Sequence, residues 1–136
     1  MATHYLDSVR NSRMDEVTSA VVATGWLQVW DGAVPAEANT SPAGTLLASL
    51  ALSNPIAPGA SGGVLTLSSV SDDTNANASG TPTFARFATT ETGATSGLVQ
   101  FSAGVGSGDL NFDAAIVSGG TVSVTSLTIT EGNNSN

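Results

Sequence analysis

The sequence predicts a mainly β protein: an antiparallel β-sandwich, jelly-roll-like, preceded by one N-terminal α-helix. Short runs rich in β-branched and aromatic residues recur at intervals of about a dozen residues from Trp26 onward, with turn residues between them. One phrase of glycine turn and strand occurs twice: Ser61-Gly62-Gly63 precedes VLTLSSV, and Ser118-Gly119-Gly120 precedes TVSVTSLTIT. Helical periodicity is confined to residues 1–25. A small closed barrel is the alternative architecture.

Residues 1–25 are predicted to form an N-terminal arm and a helix. On a helical wheel drawn from Leu6 to Val21, the apolar residues gather on one side and the polar residues on the other. Gly25 is expected to end the helix as its C-terminal cap. The predicted apolar side comprises Leu6, Val9, Met14, Val17, Ala20 and Val21.

Two arginines, Arg10 and Arg13, fall within this apolar stripe. In one interpretation their aliphatic stems cover apolar surface, while the guanidinium groups reach water or an acidic neighbour. In the other, the helix docks on a partner subunit and the arginines pair with its carboxylates. These two arginines, together with Val17, Trp26 and Trp30, make up the candidate interface.

Residues 26–131 are predicted to form the β domain, and residues 132–136 a flexible C-terminal tail rich in Asn. Turn signals such as Asp31-Gly32 and Asn54-Pro55 separate the strands, and residues 33–44 and 72–82 are predicted loops. The predicted strands are 26–30, 46–53, 64–70, 83–90, 97–103, 109–113, 115–118 and 121–130.

The last predicted strand changes its apolar face part-way along. Val122 and Val124 share one parity, whereas Leu127 and Ile129 share the other. Either a β-bulge near residues 125–126 or a strand that is buried on both faces would explain the change.

Composition excludes several classes of site. The chain of 136 residues has no Cys and one His, His4, which excludes disulfides, thiolate metal centres and cysteine nucleophiles. No G-x-S-x-G phrase occurs, and Asp31, Glu37, Asp109 and Asp113 carry no pattern that distinguishes catalytic carboxylates from surface charge. We therefore expect a protein that is not an enzyme and that binds no cofactor or metal.

The charge balance bears on partners. Eleven acidic residues stand against three basic ones, none of them Lys, and the net charge is −8. Such a surface repels phosphate, so neither nucleic acid nor a membrane is an expected partner. The N-terminus shows no signal peptide and no stretch is long enough to span a bilayer, which predicts a soluble protein made in the cytoplasm.

Residues 72–77 partly resemble the start of a calcium-binding loop. Asp73, Asn75 and Asn77 match the alternating ligands that open a calcium loop, but Ala78 and Phe84 stand where its Gly and Glu belong, so a plain loop is favoured.

Trp26 and Trp30 lie four residues apart on one predicted strand and therefore face the same side. They are interpreted as core or oligomer-interface residues; an exposed pair would instead stack on sugar rings, as in carbohydrate-binding sandwiches.

Four phrases carry a family resemblance: residues 10–15 (RNSRMD), Trp30-Asp31-Gly32, residues 62–67 (GGVLTL) and residues 119–126 (GGTVSVTS). In this order, over nearly the whole chain, they resemble a family of small structural proteins of tailed bacteriophages. The resemblance implies a virion protein, and the size suggests a capsid cement or decoration protein.

Such a protein would be synthesised in the bacterial host cytoplasm and would bind non-covalently to the outside of the phage head. Its partners would be the major capsid protein and further copies of itself, as a homodimer or homotrimer, and it would stabilise contacts between capsid subunits. The alternatives are another virion component, such as a tail, neck or fibre-associated module, and a carbohydrate-binding β-sandwich outside any virion.

Overall fold

The computed structural model describes residues 4–21 and 25–130, and these form one α-helix followed by seven β-strands. The predicted tail, residues 132–136, lies outside the described residues. The mainly β class with one N-terminal helix is confirmed. The elements are α1 (Asp7–Ala20), β1 (Trp26–Trp30), β2 (Leu46–Ala51), β3 (Val64–Thr66), β4 (Phe84–Ala88), β5 (Gly97–Val105), β6 (Leu110–Phe112) and β7 (Thr128–Thr130).

The strands form two sheets. Five of them make one curled sheet in the order β2-β1-β4-β5-β6, and β3 pairs with β7 in a second, two-stranded sheet. β1 lies between β2 and β4, with Leu27 opposite both Leu50 and Phe87. Successive side chains of β1 alternate between the two faces of the sheet, yet residues 27–30 are all buried, so both faces are covered.

One pairing departs from the predicted antiparallel topology, because β5 and β6 run parallel. Residues 106–109 connect the end of β5 to the start of β6, which lies beside Ala103. Within this connection Gly106 and Gly108 adopt φ values of 72° and 90°. A side chain at Gly108 would also lie 2.9 Å from the Ala103 backbone. Two glycines in a left-handed conformation therefore permit a reversal that parallel strands usually make through a much longer crossover.

Three predicted strands differ from the structure. The predictions 64–70 and 121–130 were too long, and the prediction 115–118 was wrong. Residues 115–118 form only an isolated bridge, in which Ile116 exchanges backbone hydrogen bonds of 2.9 and 3.0 Å with Gly80. In 121–130 only Thr128–Thr130 is a strand, and a bend at Thr125 separates it from the bridge at Val122. This bend accounts for the change of apolar face without a bulge or a continuous strand.

The helix is attached to its own chain. Met14 is buried in the core and Val17 packs against it. Two backbone N–H groups of the segment that leads into β3 donate to helix side chains: Ala60 to Asp15 Oδ1 and Gly63 to Asn11 Oδ1, each at 2.7 Å. These contacts hold α1 against the start of β3. They thereby fix the position of the helix relative to the two sheets.

The predicted boundaries of the helix were wrong at the C-terminal end. It ends at Ala20 with Val21 as its C-cap, rather than at Gly25. The buried Val21 side chain directs the chain into the core, and a Cβ at Gly25 would lie 2.2 Å from Val21 Cγ1. The described residues contain no helix long and apolar enough to cross a membrane.

Candidate interaction surfaces

The carboxylates singled out in the sequence are dispersed. Nowhere within residues 4–21 and 25–130 do three His, Cys, Asp or Glu side chains gather in a group that could hold a metal ion. Asp73 uses both carboxylate oxygens within its own fold, since Oδ2 accepts from the Ser49 N–H and Oδ1 from the Asn75 N–H, each at 2.9 Å. The residues that resemble a calcium loop therefore close a turn.

The most unusual polar group is Arg86, whose side chain is fully buried in the middle of β4. Its guanidinium group donates to three backbone carbonyls: Ala38 and Thr40 (3.1 Å) through Nη1, and Ala94 (3.0 Å) through Nη2. Its Cζ atom also lies 5.1 Å from the centre of the Trp30 ring. One side chain thus holds the loop of residues 31–45 and the loop of residues 89–96 against the same face of the sheet.

A second side chain on this face holds the 89–96 loop at three points. Gln28 lies opposite Arg86 in the β1–β4 pairing. Its Nε2 group lies within hydrogen-bond distance of the carbonyls of Thr90, Glu91 and Gly93, at 3.0 to 3.3 Å. We call the set Gln28, Trp30, Ser49, Phe84, Arg86 and Gln100 the polar layer; all of these are buried except Gln100, which is half-buried.

The other members complete the polar layer. Ser49 Oγ donates to the Glu91 carbonyl at 2.9 Å, and Gln100, which lies opposite Arg86 on β5, donates to the Pro35 carbonyl. Trp30 Nε1 donates to Gln28 Oε1 at 3.1 Å. The loop carbonyls are thereby paired, as buried backbone groups require.

The charge of Arg86 is held without an acidic partner among the described residues. Desolvation by burial lowers the pKa of its guanidinium group, but arginine remains protonated in proteins. The carbonyl dipoles and the rings of Trp30 and Phe84 stabilise the cation instead. Arg86 therefore has the geometry of an internal clamp and exposes no charge to a partner.

The polar layer was missed in the sequence, although a signal existed. Gln28, Arg86 and Gln100 each interrupt an apolar run in a predicted strand. Sheet pairing brings all three into one row. The row depends on strand order and register, which no single strand reveals.

The two tryptophans differ in exposure. Trp30 is buried and stacks on Phe84, with the ring centres 6.4 Å apart, whereas Trp26 is half-buried. The pair therefore does not form the exposed platform that sugar stacking requires. Of the two candidate interface tryptophans, only Trp26 presents accessible surface.

The helix residues of the candidate interface also differ in exposure and in their contacts. Val17 packs towards the core, and Arg10 pairs with Asp7 at 3.0 Å while its guanidinium group lies against Gly63. Arg10 thus fits the interpretation of an arginine paired with an acidic neighbour. Arg13 is exposed, and its Cζ atom lies 5.0 Å from the centre of the Tyr5 ring.

An apolar edge remains on the outer side of the helix. Leu6, Val9 and Tyr5 are 76%, 42% and 40% exposed, and Leu6 and Val9 belong to the predicted apolar side of the helix. Arg13 adjoins them. We call Tyr5, Leu6, Val9 and Arg13 the helix patch.

Comparisons of the chain with protein-family models, with curated proteins and with solved structures give no match.

Proposed function

We propose that this protein is a capsid decoration protein, which binds non-covalently to the outside of a tailed-phage head and stabilises contacts between major capsid protein subunits. Its role is structural rather than enzymatic. The proposal rests on the family resemblance of the sequence, and the observation in the structure that supports it best is the helix patch.

The helix patch has the character of a contact surface. Leu6 and Val9 expose apolar area at the N-terminal end of α1, and Met14 and Asn11 already anchor this helix to the rest of the fold. Burying such residues against a partner removes apolar surface from water, at about 25 cal/mol per Å². A patch held on a fixed helix also loses little conformational entropy on binding.

The rest of the body supports the same role. The polar layer fixes two long loops on one face of the sheet, which gives them a defined shape to present to a neighbour. Buried residues from both sheets, such as Leu27 and Leu65, pack in one cluster, which supports the proposal of a jelly-roll-like sandwich. Location on the capsid surface and self-association as a dimer or trimer are likewise proposed.

Phage particles that lack the protein provide the test. Heads purified from a gene-deletion phage are mixed with the purified full-length protein, and the bound fraction is measured by co-sedimentation and by thermal release of DNA. We expect saturable binding to heads and a higher release temperature. Binding to isolated tails without binding to heads would favour the tail or neck alternative and contradict the proposal.

The helix patch is tested with a double substitution, Leu6→Ser with Val9→Ser. We expect affinity for heads to fall by about tenfold or more, as for the loss of two apolar anchors. The matched control is Val105→Ser with Val117→Ser, which alters two valines that are 40% and 65% exposed and lie outside both loops and the helix patch. Equal losses in both doubles would show that the helix patch is not the contact surface.

A further inference from the structure

A groove lies between β6 and the segment of residues 123–126. One cavity of about 350 Å³ is lined by residues 109–113 on one side and residues 123–126 on the other. A second cavity of about 350 Å³ adjoins it, shares Asp109 and follows residues 127–130. Both cavities are lined in part by residues at the β6 edge of the five-stranded sheet, and we call them together the edge groove.

The β6 wall of the edge groove carries an unpaired strand edge. β6 is the last strand in the sheet order, so one of its sides has no neighbouring strand among residues 4–21 and 25–130. The Phe112 carbonyl accepts from Gly106 N–H at 3.2 Å and therefore faces β5. Because successive residues of a strand alternate, the N–H and C=O of Asn111 point away from β5, towards the groove.

The opposite wall is also open. The backbone of Val122 exchanges hydrogen bonds of 2.7 and 3.0 Å with Asp73, and the Leu127 carbonyl accepts from Leu67 N–H at 3.0 Å. Between these two points, residues 123–126 make no backbone hydrogen bond to another described residue. Both walls therefore offer free donors and acceptors to an extended chain, the situation in which strand addition occurs.

The side chains of the groove indicate the chemistry of the occupant. Leu110, Phe112 and Val124 are buried, while Asp109 and Asp113 are exposed at the two ends of β6. Asp109 uses Oδ2 to accept from the Ser102 hydroxyl at 3.0 Å. Asp109 and Asp113 each stand one position outside the three residues of β6, so the two carboxylates would flank a bound segment at its two ends.

We propose that the edge groove binds an extended, basic segment of a partner protein by strand addition. Two basic side chains, four residues apart, would lie opposite Asp109 and Asp113, and small apolar side chains between them would face inward. The inference holds for any such partner and does not rest on the decoration role.

Other occupants fit less well. Nucleic acid is disfavoured because phosphates would lie beside two carboxylates. A second copy of this chain offers only three arginines: Arg86 is buried, Arg10 pairs with Asp7, and Arg10 and Arg13 lie on a helix rather than in an extended segment. The charge complement must therefore come from a different protein.

The test uses the full-length protein and three synthetic peptides, GGKVTVKGG, GGEVTVEGG and GGKVPVKGG, followed by amide chemical shifts and by titration. We expect GGKVTVKGG to bind and to shift the amides of Asn111 and Val124. The glutamate peptide should not bind, because its charges oppose the groove. The proline peptide should bind more weakly, since it lacks a backbone donor at its centre.

Two matched variants locate the site. The double variant Asp109→Asn with Asp113→Asn should lower the affinity for GGKVTVKGG by about three- to tenfold, which is the effect expected from the loss of two exposed ion pairs. Glu37→Gln with Glu91→Gln removes the same charge at exposed loop positions and should leave the affinity unchanged.

Four results would overturn the proposal: no binding of GGKVTVKGG; equal binding of the lysine and glutamate peptides; shifts confined to other elements; or equal losses in both double variants. Concentration-dependent shifts of Asn111 and Val124 without peptide would instead identify a second copy as the occupant.

Discussion

The polar layer and the edge groove differ in how their backbone groups are hydrogen-bonded. At the polar layer, Arg86 and Gln28 lie beneath two loops and donate to their carbonyls. At the edge groove, Asn111 faces residues 123–126 without a backbone hydrogen bond. The first region is closed by the chain itself, while the second is available to another chain.

We therefore expect the polar layer to contribute mainly to the stability of the fold and the edge groove to contribute mainly to binding. Closing a loop over a buried cation requires donors for the buried loop carbonyls, because an unpaired buried group costs about 1–3 kcal/mol. An open edge costs little while water solvates it. Substitutions in the polar layer should therefore change the free energy of unfolding, whereas substitutions of the exposed carboxylates of the edge groove, Asp109 and Asp113, should chiefly change affinity.

The largest effect is expected from Arg86→Met. It keeps much of the apolar stem but leaves three loop carbonyls unpaired, so the free energy of unfolding should fall by about 4 kcal/mol, measured by urea denaturation. Arg86→Lys keeps the charge but not the planar fork of donors and should lose about half as much. A loss below 1 kcal/mol in Arg86→Met would mean that Arg86 does not hold the loops.

Hydrogen exchange compares the two regions without a substitution. The amides of Gln28 and Arg86, on the central strands β1 and β4, should exchange on the order of 100-fold more slowly than those of Asn111 and Val124. Mass spectrometry of the full-length protein resolves the peptides concerned. Similar protection in the two regions would remove the contrast between a closed layer and an open edge.

A smaller effect is expected from Gly97→Ala. A Cβ atom there would lie 2.1 Å from the Ala38 carbonyl oxygen and 2.5 Å from Arg86 Cδ. The loop must move away from the clamp, which should cost about 2 kcal/mol in thermal or chemical denaturation. The adjacent Leu98→Ala, at a position 40% exposed, is the control and should cost clearly less.

The smallest effect concerns the anchor of the helix. Asn11→Ala removes the acceptor for the Gly63 N–H and should reduce the free energy of unfolding by about 1 kcal/mol. Ser12→Ala on the neighbouring exposed position should change it by less than about 0.5 kcal/mol. If the two variants are equally stable, the bond between Asn11 and Gly63 does not help to hold α1.

Local sequence patterns accounted for much of the fold. The strand β1 was predicted with its observed limits, and β2, β4, β5 and β6 were each predicted within a few residues, because apolar runs bounded by Gly, Pro and Asp are local signals. The burial of Val122, Val124 and Leu127 also follows the predicted change of face.

The remaining features depend on contacts between distant residues. The parallel return of β6 needs Gly106 and Gly108 at positive φ, and α1 ends at Ala20, directly before the buried Val21. The clamp of Arg86 on Ala38 joins residues 48 positions apart. Propensity and periodicity carry none of this information, so the polar layer and the edge groove emerged only in three dimensions.

A cryo-electron-microscopy map of the phage particle that carries this protein tests the proposed function most directly. We predict density for the fold on the outer surface of the head, repeated with the symmetry of the shell and touching neighbouring major capsid protein subunits, with the helix patch buried in a contact. Density only at the tail or neck, or none on the particle, would contradict the account.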